Sequence, residues 1–144
     1  MKNKIASWKD CLEKESSRKT FKDTSRAKSL IETSLHRIKH INKELNKNTA
    51  NYIFEDYYSS VLEMLEAIIL LQGYKILNHI CLGFYLKDIL KREDLFRIFD
   101  ELRFKRNSLI YYGKRMSFED AKLAIAKSKK LMRRLEILLK NIRN

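Results

Sequence analysis

The group of residues best suited to chemistry lies in one short stretch, Arg103-Phe104-Lys105-Arg106-Asn107-Ser108-Leu109-Ile110-Tyr111-Tyr112-Gly113. Leu95, Ile98, Phe99 and Leu102 recur before it at helical spacing and mark one apolar face. Arg106 continues that face at a position where a hydrophobe is expected. A guanidinium is costly to bury without a partner, so it either reaches solvent or has something arranged around it. Arginine can clamp a phosphate through two parallel hydrogen bonds, and tyrosine can stack a base or donate its hydroxyl. Arg103, Arg106, Asn107, Tyr111 and Tyr112 are therefore the expected set for a ligand or RNA, with Arg106, Tyr111 and Tyr112 as the catalytic candidates. The same residues also read as an ordinary helix C-terminus, where the helix dipole favours Arg103 and Arg106.

Other chemistries find less support. The sequence contains no P-loop, GxGxxG, HExxH or paired CxxC. Of the 3 histidines, His36 and His40 stand four residues apart at the edge of an apolar stripe, without a third ligand of suitable type. No metal and no cofactor is expected. His79 lies in an apolar segment and reads as a packing or hydrogen-bonded residue. Cys11 and Cys81 are far apart in sequence and read as free buried thiols in a reducing cytosol.

The elements that must position the Arg106 stretch follow from periodicity. A short helix is expected at about Ile5 to Lys14, followed by a polar, basic connector over Glu15 to Lys22. Asp23, Thr24 and Ser25 offer N-caps to a longer helix. Its apolar face reads Ala27, Leu30, Ile31, Leu35, Ile38, Ile41 and Leu45. A second long helix is expected from about Tyr52 to Gln72, stopped at Gly73. Tyr74 to Leu90 reads as one irregular or short helix with a kink near Gly83. A third long helix opens between Arg92 and Asp94 and ends near Gly113. Ser117-Phe118-Glu119-Asp120 then reads as an N-cap with acids in the first turn of a fourth, which stays periodic to the C-terminus.

Composition agrees with an all-α fold. The 144 residues hold no Pro and 3 Gly, and no Asn-Gly or Asp-Gly that would signal a tight hairpin. The spacing predicts one domain over residues 1–144, built as an antiparallel bundle of four to five helices, with 1–22 as the short helix and connector. The formal net charge of +13 suits a polyanionic partner such as RNA, a nucleotide or an acidic protein, and equally suits a lysine-rich surface that is only solvated. Met1-Lys2-Asn3-Lys4-Ile5 lacks the long apolar core of a signal peptide, and the run from Ala67 to Leu71 is too short to span a bilayer. A cytoplasmic protein without membrane contact is expected.

These residues resemble a HEPN domain (higher eukaryotes and prokaryotes nucleotide-binding) over nearly the whole chain. The resemblance rests on the order of helices and on the tyrosine-containing second helix ending in Gly-x5-His as Gly73 and His79. It also rests on the Arg106-Asn107 pair closing the third helix and the Glu119-Asp120-Ala121 opening of the fourth. The family's signature is Arg-x4-6-His, often followed by a tyrosine. Its arginine and histidine act as a ribonuclease pair, usually in a cleft shared by two copies, so the resemblance implies a homodimer whose interface includes the Arg106 seam. Here Tyr111 stands where the histidine would, and Tyr112 matches a frequent aromatic position. Tyrosine, with an ordinary pKa of about 10, is a poor general base at neutral pH. The resemblance thus implies a binding module with a degenerate ribonuclease motif, for RNA, a nucleotide or a minimal nucleotidyltransferase of a toxin–antitoxin pair. Tyr112 is then the candidate for adenylylation. The alternatives are a metal-independent endoribonuclease using Arg106 with Tyr111 or Tyr112, and a plain helical interaction protein.

Overall fold

The computed structural model describes residues 4–143, so the reading of Met1-Lys2-Asn3 lies outside the described residues. The fold is mostly helical. Helix α1 spans Trp8–Glu13, α2 Thr24–Lys39, α3 Ala50–Leu71, α4 Ile80–Phe84, α5 Glu93–Tyr112 and α6 Phe118–Arg143. A π-helical segment, Tyr85–Ile89, continues α4, and two short strands, β1 (Ser17–Lys19) and β2 (Tyr74–Ile76), pair antiparallel.

Helix α3 is the spine of the molecule because it is apolar nearly all round. Its Phe54, Val61, Met64, Leu65, Ile68 and Ile69 are all fully buried, as a helix enclosed by others requires. The amphipathic α2 and α6 pack along it, α6 through Ala124, Leu131 and Leu135. Two polar links pin α2 to α3. Ser34 Oγ donates to the Ser60 carbonyl at 2.7 Å, and Arg37 forms a two-pronged pair with Glu63 at 3.1 and 2.6 Å.

Helix α5 and its exit turn carry the stretch of interest, and both ends of that turn are fixed. Gly113 takes φ +62°, a left-handed C-cap that few other residues adopt without strain. The Asn51 side chain accepts from the Met116 amide at 2.9 Å and donates to the Met116 carbonyl at 3.1 Å, tying the turn to α3. Ser117 then caps α6 by accepting from the Asp120 amide at 3.1 Å.

Four features differ from the sequence reading. The basic connector contains β1, whose Ser17, Arg18 and Lys19 face Ile76, Lys75 and Tyr74. Helix α2 ends at Lys39 rather than near Leu45, and the chain after it forms the turn that leads into α3, where Asn46 Oδ1 accepts from the Asn48 and Thr49 amides at 2.8 and 3.1 Å. Gly83 sits inside α4 as a point of close approach, where an added Cβ would meet Phe99 and Phe96 at 3.1–3.3 Å, and the irregular winding comes after it. Cys11 and Cys81 are joined in a disulfide rather than free. Such bonds persist mainly in oxidising compartments, so the argument from free thiols to a reducing cytosol falls. No helix among the described residues is long and apolar enough to cross a membrane.

Candidate functional site

The seam of α5 explains how Arg106 is tolerated. Leu95, Phe99 and Leu102 are buried at 1%, 0% and 0% exposure, and one turn further the Arg106 guanidinium lies over the ring of Tyr58 of α3, 5.9 Å from its centroid. The aromatic face replaces the hydrophobe that the seam would otherwise meet, and the ring quadrupole attracts the cation. Tyr58 is itself 2% exposed and stacks on Phe99 at 6.1 Å, so the platform under Arg106 is rigid. Burial pushes the Tyr58 phenol well above its ordinary pKa, and the charges of Arg103 and Arg106 pull it back only in part. The phenol is therefore neutral at physiological pH.

Arg106 opens onto a cleft of about 470 Å³, lined also by Arg103, Asn107 and Tyr111 from α5. The opposite wall is formed by Glu15 and Ser16 before β1, by Leu77, Asn78 and His79 between β2 and α4, and by Ile80 at the start of α4. Arg103 is held by Asp100, with Nε and Nη2 donating to Oδ1 at 3.1 and 2.9 Å. Arg106 has no carboxylate partner among the described residues, although it is half-buried. The cleft thus contains one neutralised arginine and one arginine left to meet a ligand.

Four of the five residues picked out from the sequence, Arg103, Arg106, Asn107 and Tyr111, line this cleft together. Tyr112 does not: it stands beside the cleft, 82% exposed, at the last turn of α5. Tyr111 is 70% exposed and forms the rim. His36 and His40 lie edge to face with centroids 6.2 Å apart, and no group of three metal-ligating side chains occurs among the described residues.

His79 is the residue that the sequence reading missed. It is not packed into the core but lines the cleft, with its side chain 49% exposed and Nε2 3.7 Å from Glu66 Oε1 of α3. Partial burial, and after it the positive charge of Arg106, lower its pKa below the ordinary histidine value. Burial raises the Glu66 carboxyl, with Arg26 opposing. The 3.7 Å contact is too long for a hydrogen bond, and the lowered imidazole pKa accords with a neutral ring beside a carboxylate rather than a tight ion pair.

Two features missed in the sequence put His79 there. The β1–β2 pairing is extended by the Leu77 amide donating to the Ser16 carbonyl at 2.8 Å. The Cys11–Cys81 bond then fastens the start of α4 to α1. Asn78 Oδ1 accepts from the Ile80 amide at 3.2 Å, which shapes the turn between these anchors. No local pattern in Ser17-Arg18-Lys19 marks a strand; only the number of cysteines hinted at the second anchor. Comparison with family models, curated proteins and solved structures finds no match.

Proposed function

We propose that this chain is a HEPN-like antiparallel helical bundle that binds a phosphate of RNA or a nucleotide in the Arg106 cleft. The observation that carries the reading is a half-buried guanidinium, seated on Tyr58 and without a carboxylate partner among the described residues, facing a cleft with Arg103, Asn107 and Tyr111. An unpaired cation that is partly desolvated gains most from a dianionic or oxyanionic partner. Asn107 adds an amide donor, and the exposed Tyr111 ring at the rim offers a stacking face for a base.

The surroundings support RNA over a free nucleotide. The solvent face of α6 carries Lys122, Lys129, Lys130, Arg133, Arg134 and Lys140, all exposed. Phe104, 69% exposed, lies beside Lys105, Lys114 and Arg115 at the other side of the α5 exit turn. Basic residues interleaved with exposed aromatics fit a single strand that passes beyond the cleft. The resemblance of Arg106-Asn107 to the HEPN signature agrees, and the tyrosine in place of its histidine favours binding over cleavage by that motif alone.

A homodimer belongs to the same proposal, because Phe104, Ile110, Tyr111 and Tyr112 are all exposed towards the end of α5. A second reading, a minimal nucleotidyltransferase as partner, rests on Tyr112, whose exposed hydroxyl is open to adenylylation. Titration of a labelled single-stranded RNA with wild type and with Arg106→Ala tests the main reading. Loss of affinity in the variant supports it, and equal affinity rejects it.

A further inference from the structure

Helices α2 and α6 both pack along α3 but scarcely touch each other, which leaves a groove between them. Helix α3 forms its floor. Met64 lines one end, of about 400 Å³, and Tyr57, about two turns earlier, lines the other, of about 230 Å³. Leu35 of α2 and Glu136 of α6 line both ends and join them. Ile31 and Ile38 complete the α2 wall, and Met132, Ile137 and Leu139 the α6 wall. The two lips carry large aliphatic side chains open to solvent, Leu35 at 40% and Ile137 at 53% exposure. Exposed hydrophobes scattered singly are ordinary, whereas two that face one apolar groove from opposite sides mark a binding surface. The rim is basic. Lys129, Arg133, Lys140 and Arg143 line the groove against Glu136 alone, and all five are exposed. None of them makes an ion pair among the described residues. Lys129 lies over the Tyr57 ring, 5.6 Å from its centroid. The helix dipole accounts for Lys140 and Arg143 in the last turn of α6. It does nothing for Lys129 and Arg133, which stand several turns from that end.

We propose that the α2–α6 groove is the docking site for an acidic amphipathic helix of a partner protein. A helix laid there meets α3 beneath and α2 and α6 on its two sides, the mode in which an amphipathic helix sets its apolar face into a hydrophobic groove. Leucine or isoleucine at i, i+3, i+4 and i+7 covers Leu35, Met64 and Ile137. Glutamates or aspartates along its flanks meet the four unpaired cations of the rim. The basic rim extends from Lys129 to Arg143 of α6, about 21 Å, the length of a helix of about 14 residues. Charge and apolarity together select this occupant. RNA satisfies the cations but leaves the aliphatic floor and lips uncovered. A second copy of the chain brings its own net charge of +13 against the same rim, and like charges across an interface repel. The groove shares no lining residue with the Arg106 cleft, so the proposal stands or falls separately from phosphate binding there.

The test uses the full chain and a fluorescein-labelled synthetic helix of about 16 residues, with leucines at i, i+3, i+4 and i+7 and glutamates and alanines elsewhere. A scrambled peptide of the same composition and a counterpart with lysine for every glutamate serve as controls. Wild type is expected to bind the acidic helix at least about 10-fold more tightly than either control, because the scramble loses the apolar face and the lysines meet like charge. Leu35→Gln and Ile137→Gln each remove an exposed aliphatic lip without adding charge. Each is expected to keep the wild-type melting temperature, to weaken the acidic helix at least about fivefold, and to bind single-stranded RNA within about twofold of wild type. Lys140→Gln combined with Arg143→Gln is expected to weaken the helix and to flatten its salt dependence. An acidic helix that fails to bind, binds no better than its scramble, or is indifferent to both lip variants overturns the proposal. RNA affinity lost in Leu35→Gln and Ile137→Gln assigns the groove to RNA instead. A mass by light scattering that falls from dimer to monomer in those variants assigns it to a second copy, and either result overturns the proposal.

Discussion

Arg106 sets the chemistry at the scale of the residue. Its seam position was legible in the sequence, because four hydrophobes at helical spacing led directly to it. Its partner was not, since Tyr58 is 48 residues earlier and belongs to a different helix. Removing a charge-assisted contact to phosphate typically costs about 1.5–3 kcal/mol. Arg106→Ala should therefore weaken RNA binding by roughly 10- to 150-fold, and Arg106→Lys should recover little because lysine lacks the planar fork. Fluorescence anisotropy checks both. Tyr111→Ala should weaken binding more than Tyr112→Ala, since only Tyr111 lines the cleft; equal losses would place the ligand outside it. His79 adds a pH dependence of stability. Its folded pKa lies below the unfolded value, so folding disfavours its protonation. Its contribution is intact above the unfolded value of about 6.5 and is lost as pH falls from there through the lowered folded pKa. Thermal melts should show His79→Gln losing less stability than wild type over that interval.

The long helices were legible because burial imposes the period of the helix on the sequence. Helix α5 opens and closes where Arg92 to Asp94 and Gly113 indicated, and α6 opens after Ser117 as its cap and first-turn acids indicated. The short elements were not legible. Strand β1 holds three residues with no apolar alternation, and its partner is some 55 residues away, so only tertiary pairing creates it. The disulfide likewise joins residues separated by 70 positions. These two non-local links anchor His79, which is why its place in the cleft could not be read from its neighbours. Cys11→Ser together with Cys81→Ser should cost about 2–5 kcal/mol, read as a lower melting temperature that reductant no longer changes. Gly83→Ala should cost about 1–3 kcal/mol through overpacking against Phe96 and Phe99. A melting temperature equal to wild type would mean that the two rings give way freely.

For the whole molecule, the formal charge of +13 and the exposed basic face of α6 govern how a polyanion approaches. Binding that releases counterions falls linearly in logarithmic affinity with logarithmic salt, by about 0.7 for each phosphate contacted on a single strand. Replacing Lys129, Lys130, Arg133 and Arg134 with glutamine should flatten that slope without changing the loss caused by Arg106→Ala, because the two sets contact different phosphates. The exposed Phe104, Ile110, Tyr111 and Tyr112 towards the end of α5 motivate the expectation of a C2 dimer. Light scattering should give twice the 17.3 kDa chain mass at micromolar concentration, and Tyr112→Glu should shift it toward the monomer.

The central claim, that the Arg106 cleft holds an RNA phosphate, is tested most directly by one salt titration. The affinity of a labelled single-stranded RNA is measured for wild type and Arg106→Ala from low to moderate salt, with melting temperature confirming that both are folded. The account predicts steep salt dependence for wild type, with the variant at least about 10-fold weaker at every salt concentration and its slope shallower by about one phosphate's worth. Binding that is insensitive to salt, or identical in the two proteins, would contradict it.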